Sequence, residues 1–557
     1  MQTKHFEFWP RLTKSLTIPE TSLYDNLQVS AARYPEQEAI YYYGNSLTYR
    51  QLKDEVDSMA GYLQHHLKVS SGEKVLLFMQ NSPQFVIGYY AILRVGAVVV
   101  PINPMLKSNE LDFYIKDCEI TNGIVGQELL PEVEPLLETT TLEHLVVAAY
   151  SDYKGEHFEG IPPEVAAPGK RFENPNYYEW NDITAANLQP QDLTTGADDL
   201  AVLPYTSGTT GLPKGCMHTN RTVQANTIGA HFWARATPHS RSLMTLPLFH
   251  VTGMVNSMHM PIYSGSTMVI MTRWNREMAQ RLIREQQCTH WVTISTMLVD
   301  FLANPELKAE DVASLIGISG GGAAFPKALG EKLYTLTGLE FTEGYGLSET
   351  IAQSHFNPPE RPKMQCLGIP SFDVDSRIID PVDHREKGPG EIGEIVVNGP
   401  QVMRGYYNRP EENESAFIEK DGKLFFRTGD IGRYDEEGYF FIVDRVKRMI
   451  NASGYNVWPT EVESQLYHHE AVEQACVVGI PHPRKGEEIK AFIILNKKYE
   501  GEISEEEIIE WAKHQMAAYK YPRVVEFRKE FPTTASGKIL WRKLQEEEME
   551  KFEDTKK

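Results

Sequence analysis

The sequence predicts an α/β fold, with a large multi-lobed N-terminal domain of parallel-sheet subdomains and a β-rich subdomain, followed by a small mobile α+β C-terminal domain. Three observations carry that prediction. Amphipathic or apolar helices alternate with short continuous apolar strands through residue 350, the pattern of parallel strands joined by crossover helices. After Pro359 the character changes to short β segments rich in turn residues. Beyond Arg445 a compact order of helix, two strands, helix and strand follows. At 557 residues the chain is too long for one domain of ordinary size.

The alternation begins with a helical pattern over Leu47–Leu67, a strand over Lys74–Met79, a helix over Ser82–Gly96 and the apolar run from Ala97. It recurs at His144–Ala149, Asp199–Ser207, Thr267–Met271 and Ser314–Gly322 without a fixed period, which excludes a solenoid or a bladed array. The β-rich stretch is Gly390–Pro400 and Lys423–Arg445. The last part holds helices over Thr460–His469 and Ser504–Met516 and strands over Glu473–Ile480, Lys490–Leu495 and Arg523–Arg528, enough for an α+β domain of about 110 residues. The boundary is expected near Asp444 to Arg448, giving domains 1–444 and 445–557.

Composition narrows the function classes. The opening MQTKHFEFWPRLTK has no apolar core for a signal peptide, and the richest apolar run, Phe85 to Ile102, is broken by Arg94 and Gly96, so a cytoplasmic protein without a membrane span is expected. Cys118, Cys216, Cys288, Cys366 and Cys476 show neither CxxC nor Cys/His spacing, which argues for reduced, packed thiols rather than disulfides or zinc. A formal charge of -21 argues against a nucleic-acid partner and requires any anionic substrate to meet local cations. The charged tail from Glu546 reads as a frayed helix end.

One segment concentrates chemistry. Tyr205–Gly215 reads YTSGTTGLPKG after an apolar strand, with hydroxyls at Thr206, Ser207, Thr209 and Thr210, glycines at 208, 211 and 215, and one cation at Lys214. Glycines let backbone N–H groups approach an anion, hydroxyls add donors and the lysine adds a point charge, a combination suited to a polyphosphate. It is not the common nucleotide-triphosphatase loop, because Lys214 is flanked by Pro213 and Gly215 instead of Gly and Ser/Thr.

This segment resembles the signature of the adenylate-forming superfamily, and six further segments resemble its other motifs in order. They are PLFHVTG (Pro247–Gly253), GISGGGAAFP (Gly317–Pro326), EGYGLSET (Glu343–Thr350), RTGDIG around Asp430, VDRVKRMINASGYNVWPTEVE around Arg445 and Gly454, and PTTASGKIL around Lys538. The likeness spans about residue 20 to 545 and looks closest to bacterial medium- or long-chain fatty-acid CoA ligases.

The resemblance implies a chemistry of two half-reactions, an acyl-adenylate from carboxylic acid and Mg-ATP, then transfer of the acyl group to coenzyme A. It implies Thr206, Ser207, Gly208, Thr209, Thr210, Gly211 and Lys214 at the phosphates, with Thr209 and Glu349 toward Mg2+. Gly321, Gly322, Ala323 and Ala324 with Glu343, Gly344, Tyr345, Gly346 and Ser348 would line the nucleotide, Tyr345 stacking on adenine. Asp430, Ile442 and Arg445 would complete it, Asp430 accepting from the ribose hydroxyls. His250, which in its apolar context would otherwise read as a core histidine, is implied to position the carboxylate, and Lys538 to contact the reacting carboxylate and phosphate. Ser453, Gly454 and Tyr455 are implied for CoA and Lys447 for the hinge, about 445–448.

Met254, Met258 and Met260 suit an alkyl chain or plain packing, and no charge is evident near them, so a medium- to long-chain fatty acid is favoured over an aryl acid of the coumarate or benzoate type. The alternatives are a stand-alone adenylation enzyme loading a carrier protein and, from another class, an inactive nucleotide-binding relative. The partners expected are the acid, ATP and CoA, with a homodimer left open.

Overall fold

In the computed structural model, which describes residues 4–7, 9–206, 212–321, 325, 327–445, 448, 450–452, 455–457, 459–482, 486–532 and 539–554, helix boundaries follow local chemistry. The helix expected over Ser82–Gly96 runs Pro83–Val95. The Ser82 hydroxyl accepts the Phe85 N–H at 3.1 Å, and Pro83 occupies the first turn, where no N–H is needed. Gly96 ends the helix at φ +81, a left-handed conformation. Every residue of the helix but Arg94 is buried, as an apolar pattern on all sides requires. It packs on the helix Tyr49–His65 and on the strands Lys74–Phe78 and Val98–Pro101.

The helix expected from Leu47 starts at Tyr49 instead. Leu47 and Thr48 belong to the strand Asn45–Thr48, which forms a hairpin with Glu38–Tyr42. Thr48 then caps the helix: its hydroxyl accepts the Gln51 N–H at 3.2 Å, and the Gln51 side chain accepts the Thr48 N–H at 2.8 Å.

The chain divides into two units. The first comprises Met1–Ser376, Val397–Phe426 and Glu437–Tyr439. It holds a seven-stranded sheet in the order His218–Thr219, Leu200–Val202, Val98–Pro101, Lys74–Phe78, Asn122–Gly126, His144–Ala148, Tyr177–Glu179, parallel except for its first pair. A nine-stranded sheet runs Ile369–Pro370, Ala352–Phe356, Thr342–Leu347, Gly317–Gly321, His290–Ile294, Arg241–Met244, Thr267–Ile270, Glu38–Tyr42, Asn45–Thr48. Its centre is parallel and its ends are antiparallel. One apolar cluster includes Leu77 and Val99 of the first sheet with Leu243, Val269 and Ile318 of the second. Strands covered on both faces read as continuous apolar runs, which is why the sequence shows them so plainly.

The second unit comprises Arg377–Val396, Arg427–Glu436 and Phe440–Lys557. Its C-terminal sheet has the order Tyr455–Val457, Ile450–Ala452, Gly486–Leu495, Val472–His482, with Val524–Phe527 parallel to Gly486–Leu495. The helices Pro459–Leu466 and Glu505–Gln515 cover a core of its own that includes Ile450, Val462, Leu466, Val477 and Ile489. The five cysteines are buried and unbridged. Among the described residues no helix is long and apolar enough to cross a membrane.

Gly96 carries two constraints, since an alanine there would take φ +81 and its Cβ would collide with Thr195 Oγ1. Gly96→Ala is expected to destabilise the first unit by about 1–3 kcal/mol, read from urea unfolding.

Candidate active site

The hydroxyl-rich motif begins and ends in a strand pair. Tyr205–Thr206 runs antiparallel to Lys214–Gly215, with Lys214 opposite Thr206 and Gly215 opposite Tyr205. Ser207, Gly208, Thr209, Thr210 and Gly211 lie outside the described residues. The hairpin base is anchored through Tyr205, whose hydroxyl donates to Asp117 Oδ2 at 2.6 Å and lies 3.0 Å from Cys118 Sγ. Asp117 Oδ1 in turn accepts from Arg409 Nη2 at 2.7 Å. Burial, with Cys118 and Asp117 alongside, holds the Tyr205 phenol far above its ordinary range, so it acts as a donor. Thr206 Oγ1 is shielded from solvent and has no hydrogen-bond partner among the described residues. A buried orphan hydroxyl is costly by itself and fits a site that receives an acceptor.

Glu349 sits on a strained turn. Ile351 has φ +41 and Ala352 φ +82, values that cost residues with a Cβ on the order of 1–3 kcal/mol each. Four carbonyls of this turn are held from outside it. His218 Nε2 donates to Ser348 O at 2.8 Å and the Met403 N–H to Glu349 O at 2.8 Å. Asn226 Nδ2 donates to Thr350 O at 2.8 Å and Ile351 O at 2.7 Å. Burial pushes His218 down to about 4, so the ring is neutral and its Nε2 carries the proton that a carbonyl requires. Gly346 is needed because a Cβ there would run into the Ala352 carbonyl.

The Glu349 side chain and Lys214 converge on Tyr406. The Tyr406 hydroxyl donates to Glu349 Oε1 at 2.7 Å, and Lys214 Nζ lies 4.2 Å from the centre of the Tyr406 ring. No salt bridge joins Lys214 to Glu349 among the described residues.

Beside this pair, the parallel strands Gly317–Gly321 and Thr342–Leu347 bring Gly321 opposite Gly344 so closely that a Cβ on Gly321 would strike the Gly344 carbonyl. Both strands present their C-terminal ends here, where open α/β sheets bind ligands. Gly322, Ala323 and Ala324 lie outside the described residues. Tyr345 is 9% exposed, its ring 5.6 Å from that of His355. The Glu343 carboxylate accepts the Phe325 N–H at 3.0 Å and the Gln365 N–H at 2.6 Å, so it holds the end of the glycine turn. Burial raises its pKa against the lowering effect of those amides.

His250 is exposed rather than packed in a core, and its Nδ1 accepts the Thr252 N–H at 3.4 Å. Its neighbours Leu248 and Val251 are the buried ones. A π-helical stretch, Met254–His259, follows directly. Met254, Met258 and Met260 are buried, the Tyr89 hydroxyl reaching Met254 Sδ at 3.3 Å.

In the second unit Asp430 is fully buried, its N–H donating to Thr428 Oγ1 at 3.1 Å and its backbone opposite Arg445. Ile442, opposite Gly432 in the same strand pair, is 47% exposed. Arg445 and Tyr455 are placed by their backbones in the strands Phe440–Arg445 and Tyr455–Val457. Lys447, Ser453, Gly454 and Lys538 lie outside the described residues. Asp444, just before the expected hinge, accepts the Thr460 N–H at 2.8 Å, and Arg448, at the end of it, donates to Thr460 Oγ1 and Val477 O.

Sequence reasoning missed Tyr406, His218 and Asn226. A signal for the last was present: in the buried helix Asn220–Ala234 the only Lys, Arg, Asp or Glu is Arg221, yet Thr222, Gln224, Asn226 and Thr227 are polar. Uncharged polar residues on a buried helix face point to neighbouring backbone that needs partners.

A family profile described as AMP-binding enzyme matches residues 27–407, and one described as AMP-binding enzyme C-terminal domain matches residues 461–538. The chain belongs to the AMP-binding enzyme family. A long-chain-fatty-acid–CoA ligase of Bacillus subtilis (strain 168) is 35% identical over 549 residues, 96% of each chain. A feruloyl-CoA synthase of an Amycolatopsis species is 32% identical over 512 residues, 91% of this chain and 95% of the relative. The crystal structure of ATP-bound MatB from Rhodopseudomonas palustris superposes with a TM-score of 0.80 at 25% identity, covering 95% of this chain and 99% of that one.

This AMP-binding enzyme buries histidines of its first unit in neutral form: burial pushes His5 and His218 to about 4, and His259 and His355 to about 3. Unfolding exposes rings that take up protons below about pH 6.5, so stability is full above that pH and falls as the pH drops toward the folded values. Urea unfolding should show the loss, up to about 1.4 kcal/mol per pH unit for each histidine. His218→Gln should lower that slope by one histidine's share; an unchanged slope would contradict the neutral, donating ring.

Proposed function

We propose that this AMP-binding enzyme is an ATP-dependent acyl-CoA synthetase whose acid is a medium- to long-chain fatty acid. The observation that carries the reading is the convergence of Lys214 and Glu349 on Tyr406 next to a glycine- and hydroxyl-rich hairpin. A point cation, a carboxylate, an orphan hydroxyl and close-packed glycine strands form a donor set for a polyphosphate and its counter-ion. Among the described residues no group of three or more His, Cys, Asp or Glu could hold a metal by itself. Magnesium takes one or two carboxylates with phosphate oxygens, so Glu349 with a triphosphate fits it, and Thr209 would face the same ion. When bound, Mg2+ supplies charge neutralisation at the phosphates.

In the first half-reaction a carboxylate oxygen attacks the α-phosphorus of ATP, the bond to the β-phosphate oxygen breaks and pyrophosphate leaves with that electron pair. Lys214 and the donors of residues 206–211 bind the phosphates and screen the approaching anion. Tyr345 stacks on adenine, Gly321 to Ala324 give backbone approach, and Asp430 accepts from the ribose hydroxyls, with Ile442 and Arg445 beside it. Glu343, engaged by backbone amides, acts by holding the glycine turn. His250 orients the acid and removes no proton, since a carboxylate at neutral pH has none to give.

Lys538 joins the reacting carboxylate and phosphate. In the second half-reaction the CoA sulfur forms the thioester, the thiol proton is released and AMP departs, with Ser453, Gly454 and Tyr455 toward the CoA. A hinge at Lys447, between domains 1–444 and 445–557, exchanges the two arrangements. We place the enzyme in the cytoplasm, and the reading is neutral between monomer and homodimer. The ligase of Bacillus subtilis favours an aliphatic acid; the feruloyl-CoA synthase relative supports an aryl acid as the second reading.

Lys538→Ala is expected to abolish adenylate formation from acid and ATP while leaving thioester formation from supplied acyl-adenylate largely intact. Both rates are measured separately, by pyrophosphate release and by thioester appearance. Equal loss in both half-reactions would sink the assigned role.

A further inference from the structure

We propose that Tyr406 is a positioning residue that keeps the cation and the carboxylate of the ATP site apart, each free to be taken by the nucleotide. This rests on the reading of Lys214 and Glu349 as the phosphate and magnesium groups. A lysine and a glutamate that reach the same point in a partly shielded site attract each other much more strongly than in water. Left alone they would pair, and MgATP would have to break that pair before binding.

Tyr406 occupies the place where the pair would form. Its ring face receives Lys214 Nζ at 4.2 Å and its hydroxyl donates to Glu349 Oε1 at 2.7 Å. Both charges are thereby satisfied by a neutral group, which a phosphate or a divalent cation can outbid where a direct ion pair would compete. A phenol is neutral at physiological pH, so it serves as a donor to the carboxylate and does not add a third charge.

The tyrosine is fixed to both partners through its backbone. Cys216, two residues after Lys214, forms an antiparallel bridge with Tyr406, and the Tyr407 N–H donates to Gly215 O at 2.8 Å. The Met403 N–H donates to Glu349 O at 2.8 Å. Asn413 closes the loop, its Oδ1 accepting the Tyr406 N–H at 2.6 Å and its Nδ2 donating to Tyr406 O at 2.8 Å. The side chain is 6% exposed. Residues 403–407 therefore form one rigid strap between the lysine hairpin and the glutamate turn, and from it this ring contacts both Lys214 and Glu349.

The test measures binding of Mg·α,β-methylene-ATP by calorimetry alongside KM values, in wild type, Tyr406→Phe, Tyr406→Leu, Glu349→Gln and the double variant. Tyr406→Leu should weaken the analogue about tenfold, with KM for acid and CoA within about twofold of wild type. Tyr406→Phe keeps the ring under Lys214, so it should bind the analogue within about threefold of wild type but require more free Mg2+ for half-saturation. In the Glu349→Gln background, where no pair can form, Tyr406→Leu should cost nothing further. Additive losses in that cycle, or equal rises in all three KM values with a lowered melting temperature, would overturn the spacer role. If Tyr406→Leu does not fold, an unchanged Mg2+ requirement in Tyr406→Phe overturns it. Glu349→Gln alone reports on the underlying reading: an unchanged Mg2+ requirement there removes Glu349 as the magnesium group, and the spacer role with it.

Discussion

The fixing of the Glu349 carboxylate, which on the proposed reading faces a divalent cation, is the constraint on which the rest of the site depends. The turn from Ser348 to Ala352 is strained at two residues, and it persists because His218, Asn226 and Met403 hold its carbonyls. Each of those hydrogen bonds contributes modestly in itself, but leaving a buried carbonyl unpaired costs about 1–3 kcal/mol, so the turn has no cheap alternative conformation. Several otherwise odd residue choices follow: a buried neutral histidine on a strand, a helix with a polar but uncharged buried face, and Gly346 where any side chain would strike Ala352.

The same elements hold the hairpin of the hydroxyl-rich motif. The strand His218–Thr219 and the helix Asn220–Ala234 follow directly from the Lys214–Gly215 hairpin, so the chain that leaves the lysine becomes the clamp on the glutamate turn. Asp117, Tyr205 and Arg409 anchor the hairpin base to other parts of the unit. Lysine and carboxylate are thus set by one continuous framework. Preorganisation of this kind suits a reaction in which the attacking group is a weak, negatively charged nucleophile and electrostatics must supply most of the acceleration.

Much of this architecture was legible because it is written locally. Ser82, Pro83 and Gly96 mark the ends of a helix by themselves, and the continuous apolar strands announce a parallel sheet covered on both faces. The start of the next helix toward the N-terminus was misread by two residues because Leu47 and Thr48 are claimed by a hairpin, a tertiary preference that periodicity does not show. The site was legible only in part. Lys214 and Glu349 stand in motifs, but Tyr406 lies fifty-seven residues beyond Glu349, and Asn226 lies 124 positions before Thr350. Contacts of that range leave no periodic trace. At His250 the apolar context suggests a core residue, yet its neighbours Leu248 and Val251 are the buried ones and the histidine itself is exposed.

The central claim is that one chain joins a carboxylic acid first to AMP and then to CoA. The direct measurement is a panel of aliphatic and aryl acids with ATP and CoA, in which AMP and acyl-CoA are quantified in the same samples. The account predicts equimolar AMP and acyl-CoA, dependent on the acid and greatest for medium- to long-chain aliphatic acids. AMP without thioester, or no acid-dependent AMP with any member of the panel, would contradict it.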